Sequence, residues 1–424
     1  MLRVVLKMRK KPIVPLLAIF FVVATLYLRR EFSGRPHLGT GSRSESQQKP
    51  TTWTSATDGA ILPAANITEY LQAILVTKPS ALPNLNCPAI NHVRYDWIKG
   101  SSISGPRIRY FFALNLRESL PVLPRLIGSL VEAIRFLGPR HCVLSIAEGN
   151  SPDGTADVLA ALKPTFDKLG LSYYFQSSTI DPGAGDRVKR LAELRNMALA
   201  PLLEVPGKAT QETTIIFLND VAACADDILE LIHQKKAINA DMTCAMDWTY
   251  VGRDPTFYDV WVARTIGGDT FFNIPADGNW NSAWNLFWNA EDTQRRFFAQ
   301  QPFQVFSCWN GATAFTAAPI LNKVRFRAPN EARHECGQGE PQLFCKDLWF
   351  HGYRKIAVVP SINLEYSIEK GRKIKEAKGF TSNIVSSQGP SDGGIDWQLE
   401  PPEKVKCMST WDNQYWVPWN ETLK

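Results

Sequence analysis

The chain has 424 residues, 45% of them hydrophobic, and a formal net charge of +6, so it is long and apolar enough to bury a large core. Seven Lys and Arg residues and no acids fall within the first thirty positions, and setting those seven aside leaves −1 for residues 31–424. The apparent basicity therefore belongs to one end of the chain, and no nucleic-acid-binding surface is implied.

That end reads as a membrane anchor. Arg3, Lys7, Arg9, Lys10 and Lys11 precede an apolar run from Ile13 to Leu28, closed by Arg29 and Arg30. The basic flank marks the cytoplasmic side, and snorkelling Lys and Arg heads extend a run somewhat short for a typical bilayer. No small-x-small cleavage site follows, which favours an uncleaved type II anchor over a signal peptide. The expected organisation is a cytoplasmic tail over 1–12, a transmembrane anchor over 13–30, a flexible lumenal stem over 31–85 rich in Ser, Thr, Gly, Pro and Gln, and a folded domain over 86–424. Asn66-Ile67-Thr68 and Asn420-Glu421-Thr422 are glycosylation sequons that suit a lumenal address. All eight cysteines lie on that side, where disulfides persist. Cys336 with Cys345 and Cys87 with Cys407 are candidate pairs, while Cys142 and Cys244, inside apolar runs, suit buried thiols equally well. No Cys-x-x-Cys pair suggests zinc.

In chain order the pattern alternates. Residues 109–116 read as a strand, 121–136 as a helix with its prolines early, 141–147 as a strand, 155–169 as a helix and 171–176 as extended. Residues 187–203 then read as helix, 214–218 as strand, 226–235 as helix and 241–245 as strand. Such alternation predicts an α/β fold with a mostly parallel central sheet covered on both faces. After Trp248 the rhythm gives way to aromatic-rich, Gly-punctuated stretches and a last strand over 355–360.

Three segments carry chemistry. The apolar run Ile215 to Leu218 stops at Asn219-Asp220, a strand tip where open α/β sheets hold ligands, although such an acid also serves as a helix cap or turn residue. Glu148 to Thr155 ends a strand in an acid, turns through Gly, Asn, Pro and Asp, and starts a helix. Glu148 and Asp153 there suit a nucleobase or ribose, or simply cap the turn. Arg187, Lys189 or Arg190, and Arg195 share one side of a helix, as a diphosphate site or as a solvated face balanced by Glu193.

Taken with Phe217 to Leu231, Asp241 to Trp248, Tyr258 to Arg264, Pro302 to Gly311 and Glu335 to Tyr353, these segments resemble the fungal α-1,3-mannosyltransferases and capsule-associated proteins first described from Cryptococcus. The resemblance runs from about Arg107 to Ser367. It implies a GT-A-like nucleotide-sugar fold, GDP-mannose as donor, a mannose-containing glycan as acceptor, Mn²⁺ or Mg²⁺ as cofactor, transfer with retention of the α configuration, and a Golgi or other early secretory membrane. Where many GT-A enzymes carry Asp-x-Asp, this chain has Leu218-Asn219-Asp220, so Asp220 is the metal-ligand candidate. Glu148, Asp153, Arg187, Arg195, Asn196 and Asn219 are expected to meet the donor. Asp247, then Asp259 and Glu335, are the carboxylates expected at the reacting sugar. Trp309, Asn310, Gly311 and Asp347 are expected to meet the acceptor, though Trp serves a core equally well. Asn219 in place of an acid also fits a non-catalytic glycan-binding or scaffold protein, and a related transferase with another nucleotide sugar is a further alternative.

Overall fold

Strand β1 (Tyr110–Leu116) has parallel neighbours on both sides, β2 (Cys142–Gly149) and β4 (Thr214–Leu218), with β3 (Ser172–Ser178) parallel beyond β2. The computed structural model describes residues 56–76, 81–99, 108–204, 209–388 and 394–423. The expected tail over 1–12 and anchor over 13–30 lie outside the described residues. Among the described residues no helix is long and apolar enough to cross a membrane.

The sheet continues past β4 through a mixed half. It contains β5 (Met242–Val251), β6 (Asp254–Phe257), β7 (Arg264–Thr265), β8 (Phe303–Ser307), β9 (Ala312–Thr316) and β10 (Ile356–Leu364). The order is β3-β2-β1-β4-β9-β5-β10-β8-β7, with β6 paired to β5, and β9 runs antiparallel between β4 and β5. A separate hairpin, β11 (Lys404–Met408) with β12 (Gln414–Pro418), closes the chain.

The alternation of side chains explains why the central strands need unbroken apolar runs. In β4, Ile215 and Phe217 enter one core layer while Ile216 and Leu218 enter the other. The first layer takes Leu194, Leu199 and Leu202 from helix Arg187–Glu204 and Phe344 from helix Glu340–Phe350. The second takes Ile74, Leu126 and Ile228 from helices Ala64–Leu75, Leu123–Leu137 and Ala225–Ala237. Each such fully buried side chain contributes about 1.5–3 kcal/mol.

Three expectations change. The helix expected over 155–169 divides into Thr155–Ala161 and Lys163–Leu169, because Pro164 has no N–H to continue the ladder. The stem expected to stay flexible over 31–85 is folded in its later part. Ile67, Leu71, Ile74 and Leu75 recur at helical spacing; Ile67 is buried, the other three pack on the second layer, and Asp157 accepts hydrogen bonds from the backbone N–H groups of Ala60, Ile61 and Leu62. The disulfides are Cys87–Cys224, Cys244–Cys308 and Cys336–Cys407, so neither candidate pair forms; Cys142 and Cys345 are buried thiols. The sequon residues Asn66 and Asn420 are both exposed.

Candidate active site

Chain order places β2 and β3 on one side of β1 and β4 on the other, so the connections leaving β1 and β4 part company and open a crevice at their C-terminal ends. Because β9 is antiparallel to both neighbours, its start lies at the end of β4 and beside the stretch of β5 just before Asp247. Trp309-Asn310-Gly311, just before β9, therefore meets Asn219-Asp220 after β4 and Asp247 in β5. The Asn219 N–H donates to the Gly311 carbonyl at 2.9 Å.

Gly311 is the floor of this meeting point. Its φ is +79°, and a Cβ there would lie 3.0 Å from Val221 Cγ1 and 3.5 Å from both the Asp247 Cβ and the Tyr366 hydroxyl. Only glycine fits both the angle and the space. The disulfide from Cys244 in β5 to Cys308 holds the adjoining segment in place.

Asn219 is fixed from behind. Its Oδ1 accepts from Trp309 Nε1 at 3.0 Å and from Arg195 Nη1 at 3.5 Å, which leaves the amide N–H groups for a ligand. Trp309 is only 1% exposed, with Arg195 Cζ 4.4 Å from its ring centroid. Arg195 Nε donates to Glu340 Oε1 at 2.9 Å, both side chains being buried. Arg195 is thus a charge locked beneath the cleft rather than a free diphosphate ligand. Trp309 and Asn310 likewise support the floor: Asn310 is buried, its Nδ2 donating to the Ala245 carbonyl at 2.8 Å and its backbone N–H to Asp259 Oδ2 at 2.9 Å. The expected acceptor platform is not offered by these two side chains.

Asp247, fully buried, and Asp259, half-buried, interact under the floor. Burial, reinforced by the charge of Asp259, holds the Asp247 carboxyl well above the usual range. Burial likewise pushes Asp259 up to about 6, although the Asn310 N–H and Arg195 oppose it. Tyr366 donates to Asp247 Oδ2 at 2.7 Å, and the exposed Tyr258 ring packs 5.1 Å from Tyr366. Among the described residues no group donates to Asp247 Oδ1. Asp247 itself is fully buried, so its side chain has no surface with which to touch a ligand.

Asp220 is the carboxylate that reaches the opening. It is partly exposed, and burial raises its carboxyl pKa while its own backbone N–H, Arg195 and Arg187 lower it. Arg187 is exposed at the start of its helix and within electrostatic reach of Asp220 and Tyr258, which makes it the cation of the cleft mouth. A divalent ion fits this arrangement through Asp220. Among the described residues no three His, Cys, Asp or Glu side chains gather as a cage, so donor phosphates and water would complete the shell.

Other expected residues are committed elsewhere. Asp153 Oδ1 accepts from the Thr155 N–H and hydroxyl, closing the turn. Glu148 accepts from the Ser151 N–H at 2.6 Å and from the Ser177 hydroxyl at 2.7 Å. Asn196 clamps the backbone of Phe326 through both ends of its amide. Glu335 and Asp347 both pair with Arg327, and Glu335 also with Lys346, so these two acids form an ion-pair cluster of their own. That cluster holds the Glu335 carboxyl far below its usual range despite burial. Asp227 caps its helix by accepting from the Cys224 N–H at 2.8 Å. Tyr366, Tyr258 and Glu340 are site residues that sequence reasoning missed. Tyr366 follows the end of β10, the same strand-tip signal as Asp220, but Pro360 read as the strand's end; the strand passes it through an irregularity between Val358 and Asn363.

The chain is similar in sequence to known mannosyltransferases. The family model described as cryptococcal mannosyltransferase 1 matches residues 109–347. The α-1,3-mannosyltransferase CMT1 of Cryptococcus neoformans is 37% identical over 346 residues, covering 74% of this chain and 73% of that one. Among solved structures, the Pyrobaculum calidifontis mannosyltransferase PcManGT in complex with GDP-Man and Mn²⁺ is 13% identical with a TM-score of 0.37, covering 78% of this chain and 74% of that one. S. aureus TarS 1–349 with UDP is 13% identical with a TM-score of 0.36, covering 67% of each chain.

Proposed function

Since the chain belongs to the cryptococcal mannosyltransferase 1 family and is a glycosyltransferase, we propose that it moves mannose from GDP-mannose to a hydroxyl of a mannose-containing glycan, forming an α-1,3 linkage with retention on a GT-A-like fold. The observation that carries this reading is the convergence of Asp220, Arg187, Asn219 and the Asp247–Asp259 pair on one crevice at the strand ends.

In this account Arg187 meets the diphosphate with charge-assisted hydrogen bonds, and the Asn219 amide, held by Trp309, donates to the ribose or a phosphate oxygen. Asp220 would hold Mn²⁺ or Mg²⁺, which would supply Lewis-acid neutralisation of charge on the departing GDP. Arg195, fixed by Glu340, favours the ionised form of Asp220 against burial. The Asp247–Asp259 pair, when it carries a negative charge, stabilises positive charge developing on the mannosyl ring from beneath. The acceptor hydroxyl enters on the side that GDP leaves, giving its proton to the departing phosphate oxygen.

The disulfides and the exposed sequons support a lumenal catalytic domain, and the apolar run over 13–28 supports a type II Golgi protein. Incubating the purified chain with GDP-mannose, GDP-glucose, UDP-glucose and UDP-GlcNAc beside a mannoside panel tests the donor. Mannosyl transfer from GDP-mannose alone is the expected result, and transfer from a uridine donor contradicts it.

A further inference from the structure

Trp309, an expected acceptor platform, is buried, whereas aromatic side chains on the turn after β6 are exposed. Tyr258 is 46% and Trp261 37% exposed, on the turn that also carries Asp259. Tyr258 sits within the field of Asp247, Asp259 and Asp220, so this turn borders the cleft. Against Trp261 stands Trp411 of the C-terminal hairpin, with ring centroids 4.0 Å apart and planes 40° apart. Trp280 meets Trp411 edge-on at 6.3 Å and is itself anchored on the buried Phe272 at 5.6 Å.

This row is built from three separate chain segments, and its members are held in place. The hairpin bearing Trp411 is tied by Cys336–Cys407, and its Lys406 N–H donates to the Gly268 carbonyl at 2.8 Å while its Lys406 carbonyl accepts from Arg264 Nε at 2.8 Å. Gly278, with φ +72°, leaves room for the indole: a Cβ there would lie 2.7 Å from Trp411 Cγ. Rigid indoles left partly in water beside a sugar-handling cleft suit the flat C–H face of a pyranose, with solvent-facing polar groups for its hydroxyls.

Resting on the mannosyltransferase reading above, we propose that Trp261 and Trp411 form an acceptor subsite that holds the pyranose next to the one that reacts. The enzyme then extends an oligomannoside in preference to a single sugar. The partner chemistry follows from position: Trp261 lies on the same turn as Tyr258, which borders the cleft, so the occupant of the platform is the remainder of the acceptor chain.

The test compares wild type, Trp411→Ala and Trp411→Phe as full chains, with GDP-mannose and Mn²⁺, on methyl α-mannoside and on mannotriose. Mannotriose titrations by tryptophan fluorescence run in parallel. Wild type should favour mannotriose, and Trp411→Ala should lower the mannotriose-to-monosaccharide ratio of kcat/KM roughly tenfold, mainly through KM, with GDP affinity unchanged and Phe retaining most of the preference. An unchanged ratio in a variant that still binds GDP overturns the subsite. Should Trp411→Ala lose GDP binding through misfolding, Trp411→Leu, which keeps apolar contact but no aromatic face, carries the same expectation. If wild type transfers nothing from GDP-mannose, the donor reading fails while the titration still decides the platform: mannotriose quenching lost in the variant upholds it, and no quenching in wild type overturns it.

Discussion

Tyr366 donates a 2.7 Å hydrogen bond to Asp247 Oδ2, while Oδ1 of the same buried carboxylate has no donor among the described residues. That asymmetry makes the tyrosine the main side-chain support for a negative charge beneath the cleft floor. Its hydrogen bond favours the ionised form against burial and against Asp259, both of which favour the neutral acid. Tyr366→Phe should therefore raise the Asp247 pKa further and move the acidic limb of the kcat profile to higher pH, with a loss of roughly tenfold or more at neutral pH. A pH–rate profile superimposable on that of wild type would show that Asp247 does not act through its charge.

Asp220 is the carboxylate placed to hold a cation in the opening. Asp220→Ala should lower kcat by roughly a thousandfold in saturating GDP-mannose and Mn²⁺, with the melting temperature at or above that of wild type, because a carboxylate held at raised pKa is removed. Stabilisation of wild type by GDP should require the metal, and that requirement should vanish in the variant. Thermal shift with and without chelator reads both.

The two arginines should separate. Arg195 and Glu340 are a buried pair, so Arg195→Ala leaves a carboxylate without its partner and should cost about 3–5 kcal/mol of stability. Arg187→Ala, at an exposed helix start, should leave stability unchanged and weaken GDP binding roughly tenfold. Denaturant titration and GDP titration of both variants check this; a stable Arg195→Ala with weakened GDP binding would return Arg195 to direct contact with the diphosphate.

Asp226 offers a stability test away from the cleft. It is buried, and burial together with Asp227 and Glu230 raises its pKa to about 7 from an unfolded value near 3.8. A raised acid pKa contributes stability that is fully present below the unfolded value and is lost as pH rises through about 7. Asp226→Asn, neutral at every pH, should gain more stability over wild type at pH 8 than at pH 5, by about 2–3 kcal/mol. Melting curves at the two pH values measure the difference, and an equal shift at both contradicts it.

Much of the first half was legible because buried parallel strands must be continuously apolar: Thr214 to Leu218 was read at its observed bounds. The second half was harder. Strands β8 and β9 are five residues each, and nothing in such short apolar runs tells a strand from a buried loop or indicates its direction. Without that direction, the meeting of Gly311 with Asp247 and Asn219 is not derivable. Pairing of charges is equally invisible in sequence. Glu335 and Asp347 read as free acids until Arg327 and Lys346 are placed beside them, and Arg195 reads as a ligand until Glu340 is. Trp309 and Trp261 look alike in sequence; tertiary placement buries one and exposes the other.

The most direct measurement of the central claim is a product analysis with wild type and Asp220→Ala, each incubated with GDP-mannose, a mannoside acceptor and Mn²⁺ and read by NMR of the new glycosidic linkage. Wild type should yield an α-1,3-linked mannoside and the variant none. An Asp220→Ala enzyme that makes the same product at the wild-type rate would contradict the account.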